Sequence, residues 1–228
     1  MKTLLYVPVI HTSGDLGSVA TEVAKRGISR LGIKIWEEHD RTVEKFWDVL
    51  SRYFETQNVS GVKIYQDGMI AEGEIARKIV EDGVKAGSSN YRLISKLLER
   101  GAFLVKTENF SLVKEERDRI LALIHAKSFI RKLAALVKYK VVKNKLLKKR
   151  DKFIANRIDE TLKHGEKAIL FIGALHNIKE KLPNSFQVIE IKNISGIREY
   201  QRLFPFYPKF KKRIEELQKY LISKVEGV

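Results

Sequence analysis

The chain has 228 residues, of which 44% are hydrophobic, and it carries 44 Lys and Arg against 28 Asp and Glu, a formal net charge of +16. This length suits one domain of ordinary size, and the apolar content is enough to bury a core, so wholesale disorder is excluded. The chain holds no cysteine, which excludes disulfides, Fe–S clusters, thiolate metal sites and cysteine nucleophiles.

Two further expectations concern the location and the source of the protein. No apolar run approaches the roughly 18 residues that a transmembrane helix needs. The apolar start of the chain is interrupted by Pro8 and is followed by no small-residue cleavage site, so we do not interpret it as a signal peptide and expect a cytoplasmic protein. The charged fraction of 32%, with few glutamines, is typical of proteins from thermophiles.

Five short apolar runs predict buried strands. In chain order they cover residues 3–10, 62–65, 102–106, 167–172 and 186–191. Helical periodicity predicts helices between them, at about 19–29, 35–54, 72–86 and 88–98, and over most of 197–227. Strands that alternate with helices predict an α/β fold with a largely parallel sheet of about five strands, flanked by helices.

The stretch 111–164 has helical periodicity throughout and is too long for one uninterrupted helix in a small domain. We expect two or three helices here, including a projecting pair. No internal repeat and no low-complexity linker divides the chain. We therefore predict a single α/β domain, 1–228, in which residues 111–165 form a long basic helical insertion or subdomain.

A polar residue with catalytic or ligating chemistry follows each of the first four predicted strands. These residues are His11, Asp67, Glu108 and His176. The carboxyl ends of parallel strands meet at one edge of the sheet, where ligands bind. Two imidazoles and two carboxylates suit a divalent metal ion or acid–base chemistry. All four are therefore candidate metal ligands, although polar residues also end strands simply because the chain leaves the core there.

Two other patterns bear on a site. Gly14 and Gly17 precede Ser18 at a predicted helix start, where backbone N–H groups can face an anion. The pattern matches neither a phosphate loop nor a dinucleotide fingerprint, and a plain tight turn is the alternative.

Arg150 and Asp151 precede a helical stripe that predicts packing on the sheet, formed by Ile154, Ile158 and Leu162. From the start of that helix Arg150 can reach the predicted site, and Asp151 can pair with a cation on the helix face. The alternative is an ion pair in solvent.

The closing part of this region resembles a known arrangement. Arg150-Asp151 opens a predicted helix, Gly165 ends it, and an apolar strand leads into Gly173-Ala174-Leu175-His176. This order, over residues 150–182, is similar to that of the TraB/Tiki proteins and of the related erythromycin-esterase-like and ChaN-like haem-binding families. In those families a first histidine motif usually has glycine three residues before the histidine, where this chain has Pro8. A glutamate at a strand end is replaced by Gln66-Asp67.

The resemblance implies a site more firmly than it implies a reaction. His11, Glu108, Arg150 and His176 are the catalytic candidates. The implied activity is a metal-dependent or histidine-dependent hydrolase that acts on a small-molecule or peptide substrate, with a divalent metal ion as the possible cofactor. One histidine would act as base or metal ligand, a carboxylate would orient it or bind the ion, and Arg150 would hold an anionic group or a developing oxyanion.

Most of the excess positive charge lies in the helical insertion. Residues 111–165 hold 16 Lys and Arg against 6 Asp and Glu, and no carboxylate lies between Lys127 and Arg150. Apolar residues run through the same stretch at helical spacing, which predicts a basic amphipathic helix: Ile130, Leu133, Leu136, Val137, Val141, Leu146 and Leu147.

Three roles for this basic helix are open. It can bind the phosphates of a nucleic acid, lie on an anionic membrane surface, or form a solvated face whose apolar stripe packs on the rest of the protein. The alternative to a hydrolase is therefore a non-catalytic nucleic-acid-binding protein that acts through residues 127–150.

Overall fold

A parallel sheet forms the centre of the structure. The structure is a computed structural model, and it describes residues 1–15, 20–126 and 128–225. Its strands are β1 (Lys2–Val9), β2 (Lys63–Gln66), β3 (Phe103–Val105), β4 (Lys167–Gly173) and β5 (Phe186–Glu190). Every pairing is parallel, and the order across the sheet is β3-β2-β4-β1-β5. The predicted α/β fold with five parallel strands is confirmed.

Helices connect the first four strands along the chain, and two more follow β5. They are α1 (Ala20–Leu31), α2 (Ile33–Glu55), α3 (Gly73–Lys85), α4 (Ser89–Glu99), α5 (Phe110–Ile124), α6 (Phe129–Thr161), α7 (Ile194–Leu203) and α8 (Tyr207–Ile222). Gly32, with φ 85°, separates α1 from α2. Gly27 lies inside α1 and makes room for the indole of Trp36, which would contact any Cβ at that position.

Alternate residues of each central strand face two different helical layers. In β1, Leu5, Val7 and Val9 belong to the larger core, which includes residues of α2, α4, α7 and α8. Leu4 and Tyr6 belong to the smaller core, which includes the C-terminal half of α6. Because helices cover both faces of the sheet, β1 and β4 are apolar almost without interruption.

The connections that leave β2 and β4 run in opposite directions across the sheet. β2 leads to β3 at one edge, whereas β4 leads past β1 to β5 at the other edge. This makes the crevice between the carboxyl ends of β2 and β4 a topological switch point, which is where open parallel sheets bind ligands. Asp67 follows β2, and His176 follows β4.

The predicted insertion, 111–165, contains nearly all of α5 and all of α6, and its status as a separate subdomain stays a prediction. No described residue of α5 is buried, and among the residues of α6 whose side chains are described, the first buried one is Leu146. The C-terminal half of α6 packs on the sheet through Ile154 and Ile158. The expectation that Arg150 opens a helix is wrong, because α6 is one continuous helix of 33 residues and Arg150 lies in its interior. Among the described helices, none combines the length and the apolar composition that crossing a membrane requires.

His39 of α2 is partly buried in an aromatic cluster. Its Nδ1 lies 2.7 Å from the hydroxyl of Tyr200, and its ring stacks on Phe204 with 4.2 Å between centroids. Burial lowers the pKa of His39 to about 4. The unfolded chain protonates this histidine near its ordinary value of about 6.5. Between about pH 4 and pH 6.5 the unfolded state therefore binds more protons than the folded state. The contribution of His39 to the free energy of unfolding is fully present above about pH 6.5 and is lost as the pH falls toward 4.

Replacement of His39 by phenylalanine should remove this part of the acid sensitivity. From pH 7 to pH 5, we expect the free energy of unfolding of the wild type to fall by about 1–2 kcal/mol more than that of His39→Phe. Urea denaturation at both pH values measures the difference. The exposed His125 provides the control, since His125→Phe should keep the wild-type dependence. Equal pH dependence in wild type and His39→Phe would contradict this account.

Candidate functional site

Arg150 lies among carboxylates that come from three other parts of the fold. Its Nε lies 3.1 Å from Oε1 of Glu108, which follows β3, and its Nη2 donates to the same oxygen. Nη2 also lies 2.7 Å from Oδ1 of Asp67, and Nη1 donates to Oε2 of Glu116 on α5. The arginine is only 7% exposed. One buried guanidinium therefore connects the ends of β2 and β3 with α5 and α6.

Glu108 is the most deeply buried of these carboxyl groups. Its exposure is 0%, and its Oε2 has no hydrogen-bond partner among the described residues. The N–H groups of Thr107 and Glu108 both donate to the carbonyl of Met69 at 2.9 Å, which fixes the turn after β3. Burial raises the pKa of Glu108, and Arg150 offsets only part of that effect. Burial thus favours the protonated form of this carboxyl group, whereas the guanidinium of Arg150 favours its anion.

Asp67 connects this cluster to the loop after β4. Its Oδ2 accepts the N–H of Gly173 at 3.0 Å and lies 3.6 Å from Nε2 of His176. Burial alone would raise the pKa of Asp67. The charges of His176, Arg150 and His11, with the Gly173 N–H, instead hold its pKa below the ordinary value. Asp67 is therefore an anion at neutral pH and is influenced by both histidines.

His176 is held from its other side by Asp151 of α6. The Nδ1 atom of His176 lies 2.6 Å from Oδ1 of Asp151, whose Oδ2 accepts the N–H of Asn177 at 3.1 Å. Burial disfavours a charged imidazole. The hydrogen bond to Asp151 and the charge of Asp67 outweigh it, so the pKa of His176 is raised above its ordinary value. The histidine is thus both oriented and made more basic.

His11 lies at the outer end of the cluster, with its side chain 48% exposed and its Nδ1 4.0 Å from Oδ2 of Asp15. Asp15 fixes the turn by accepting the N–H of Thr12 at 2.6 Å and the hydroxyl of Ser88. A cavity of about 380 Å³ adjoins this turn, and Thr12 and residues of α2 are among those that line it. His11 affects the pKa of Asp67 from the solvent side, and His176 does so from the buried side.

The structure thus brings three of the four predicted strand-end residues, Asp67, Glu108 and His176, together with Arg150, and places His11 at the exposed end of this cluster. Arg150 differs from its expected role. Its N–H groups donate to carboxylates of Asp67, Glu108 and Glu116, and a role in holding an anionic substrate group or an oxyanion stays a prediction. The ion pair is also buried and not solvated. Arg150 is a positioning residue.

The guanidinium of Arg150 competes with the predicted metal ion for the carboxylates of the site. Among the described residues, no group of three or more His, Asp or Glu side chains is arranged to hold a metal ion. Asp67 and Glu108 bind the guanidinium of Arg150, which supplies the positive charge that buried carboxylates need. As arranged, these side chains do not form a ligand set. Metal ligation by His11, Asp67, Glu108 and His176 stays a prediction.

Gly14, which the sequence suggested as part of an anion site, has a packing role in the structure. A Cβ on Gly14 would lie 2.4 Å from the backbone of Gly87, so the missing side chain allows two chain segments to pack closely. Gly17 and Ser18, on which that hypothesis also depended, lie outside the described residues.

Sequence reasoning missed two residues of the site, Glu116 and Arg198, and the contact that a third, Asp151, makes. Asp151 was not connected with His176, although its position three residues before Ile154 places it on the buried stripe of α6. Glu116 of α5 was not distinguished from the other charges of an exposed helix. Arg198 of α7 donates to the carbonyls of Ala174 and His176 and so supports the loop that carries His176, which no sequence pattern indicated.

Comparison with known proteins gave no match: no family model, no curated protein and no solved structure is significantly similar to this chain. The similarity to the TraB/Tiki and erythromycin-esterase-like families therefore stays a prediction.

Replacement of Asp151 by asparagine should lower the pKa of His176. Asparagine cannot offset the burial of the imidazolium, so we expect the pKa to fall from above about 6.5 to below it. Titration of the histidine ring signals by NMR measures the change. Asp159→Asn is the matched control, because Asp159 lies on the same helix and pairs with Lys2. An unchanged His176 pKa in Asp151→Asn would contradict the assigned contact.

Removal of the Arg150 charge should strongly destabilise the protein. Arg150→Met leaves three carboxylates without their cation, so we expect a loss of about 3–5 kcal/mol in the free energy of unfolding at pH 7. The loss should shrink at acid pH, because the pKa values of Glu108 and Asp67 rise in the variant and its folded state takes up protons.

Urea denaturation at pH 7 and pH 5 measures both effects. The control is Arg157→Met, seven residues further along α6, where the partner Glu72 is exposed and the expected loss is about 1 kcal/mol. Equal losses in the two variants would show that the carboxylates do not depend on Arg150.

Proposed function

We propose that the protein is a hydrolase in which His176, oriented by Asp151, is the general base at the crevice between β2 and β4. The observation that carries the proposal is this pair, in which Nδ1 of His176 is fixed at 2.6 Å by a buried carboxylate and Nε2 faces Asp67 at 3.6 Å. A histidine held at one nitrogen and directed into a switch-point crevice is the recurring arrangement of hydrolytic bases.

Asp151 sets the protonation of the ring. Because a carboxylate only accepts, Nδ1 of His176 carries the proton, and Nε2 keeps its lone pair when the ring is neutral. The raised pKa of His176 makes Nε2 a stronger base than an ordinary imidazole. A water molecule that contacts Nε2 loses a proton to it as its oxygen attacks a carbonyl carbon. Asp67, an anion beside the ring, stabilises the imidazolium that forms.

The imidazolium of His176 is the candidate proton donor. It returns the proton taken from water to the leaving oxygen or nitrogen when the bond to the carbonyl carbon breaks. Glu108, which is fully buried and paired with Arg150, supports the site without contacting the substrate. Arg150 holds Glu108 and Asp67 in place and does not touch the substrate. His11, at the exposed end of the cluster, is the candidate residue for contact with the incoming substrate.

The order of these residues along the chain supports the same proposal. Arg150-Asp151 on a helix, followed by a strand and Gly173-x-x-His176, is similar to the motif order of the TraB/Tiki and erythromycin-esterase-like proteins. We propose that this chain is a distant member of that group and that its substrate is a carboxylic ester, a lactone or an amide.

Hydrolysis assays on a defined panel test the proposal. We expect turnover of at least one member among nitrophenyl esters of increasing acyl length, a series of lactones and a fluorogenic peptide amide. His176→Gln and Asp151→Asn should lower kcat/KM by about 10²–10⁴-fold, the usual contribution of a general base, and Asp159→Asn should leave it unchanged. Activity should be lost as the pH falls through the raised pKa of His176, and this limb should move to lower pH in Asp151→Asn.

Two outcomes would contradict the proposal. One is the absence of turnover across the panel, or turnover that His176→Gln leaves intact. The other is activity that a chelator abolishes and a divalent ion restores, which would replace the histidine mechanism with the metal site that the sequence predicted.

A further inference from the structure

The projecting half of α6 presents an apolar stripe to solvent. Four exposed side chains form it: Ile130, Leu133, Val137 and Val141. Ile130 and Val141, at its two ends, are 78% and 75% exposed. At about 100° per residue, the four positions fall within an arc of about 80°. They therefore make one continuous ridge along the helix.

No other part of the chain that the structure describes covers this ridge. The partly buried residues of the same half include Leu136, Tyr139 and Val142, which lie on the opposite side of the helix. Of the three open roles, packing of the apolar stripe on the rest of the protein does not apply to these four residues, although it applies to Leu146, which is buried.

Exposed cations flank the ridge on both sides. Lys140 lies on one side of it, and Arg131, Lys138 and Lys145 lie on the other. None of the ion pairs formed by described residues includes a cation between 131 and 149, and this segment contains no carboxylate. The positive charge is thus not neutralised within the described part of the chain.

We infer that this half of α6 lies on an anionic lipid surface. Its apolar ridge would enter the boundary between headgroups and acyl chains, while the flanking lysine and arginine side chains extend to the lipid anions. A nucleic acid would use the cations and leave the ridge in water. A second copy of the helix would bring like charges together. The helix does not span the membrane, because its charges are too many.

The docking places the candidate site close to the lipid. Val141 precedes Arg150 by nine residues, about 14 Å along the axis of α6, and Asp151 is the next residue. The inference rests on the ridge and its flanking charges alone and does not depend on hydrolytic activity.

Sedimentation of the full chain with vesicles tests the docking. We expect binding to vesicles of phosphatidylcholine with about one-third phosphatidylserine, and at least tenfold weaker binding to pure phosphatidylcholine. Ile130→Asn/Val141→Asn should weaken binding to the anionic vesicles at least tenfold. Ile75→Asn, at an isoleucine of α3 that is 69% exposed, is the control and should bind as the wild type does. Thermal melting confirms that each variant is folded.

A probe on the ridge tests insertion independently of affinity. The chain has no cysteine, so Val137→Cys labelled with an environment-sensitive nitrobenzoxadiazole dye reports a single position. We expect its emission to rise severalfold and shift to the blue with anionic vesicles, and the same dye at Ile75→Cys to stay unchanged.

Three outcomes would overturn the inference. The first is no binding to anionic vesicles at low salt. The second is binding that depends on charge but is the same in Ile130→Asn/Val141→Asn, with no change at the Val137 probe. The third is tight, salt-sensitive binding of duplex DNA or RNA through the same cations without vesicle binding, which would assign the surface to nucleic acid.

Discussion

Three carboxylates can share one buried edge of a parallel sheet only if a positive charge lies among them. Arg150 supplies that charge and binds Asp67, Glu108 and Glu116. Each carboxylate comes from a different segment, so the arginine fixes their relative positions as well as their charge. Without it, the desolvation of Glu108 and Asp67 would favour proton uptake or local unfolding at this edge of the sheet.

The same charge arrangement determines the state of His176. Two carboxylates face the ring from opposite sides, Asp151 at Nδ1 and Asp67 at Nε2. Arg150 binds Asp67 and so limits how much negative charge the ring experiences. The result is an imidazole that is buried yet more basic than usual, which is the property that the proposed hydrolysis requires. The arginine acts through the carboxylates and not through the substrate.

Much of the fold follows from local patterns in the sequence. Apolar runs located the strands, and because helices cover the sheet on both faces, these runs are continuous and easy to recognise. The candidate site was predictable only in part. A strand end indicates that His176 and Asp67 leave the core at the same edge, but it does not indicate which side chains contact each other. Asp151 contacts His176 because α6 packs on the sheet through Ile154 and Ile158, and local sequence patterns do not show such long-range packing.

The role of the helical insertion was also predictable from the sequence only in part. Its amphipathic pattern was visible in the sequence, yet the pattern is the same whether the apolar stripe packs on the protein or faces solvent. The structure separates the two halves of α6: Ile154 and Ile158 are buried, whereas Ile130 and Val141 are exposed. One helix thus contributes both to the core of the site and to a surface that has no partner within the described chain.

A crystal structure of the protein equilibrated with zinc, manganese and magnesium tests the central claim most directly. The account predicts the guanidinium of Arg150 between Asp67, Glu108 and Glu116, His176 on Asp151, and no metal density between these side chains. Density for a metal ion coordinated by Asp67, Glu108 and the histidines, with Arg150 displaced from them, would contradict it.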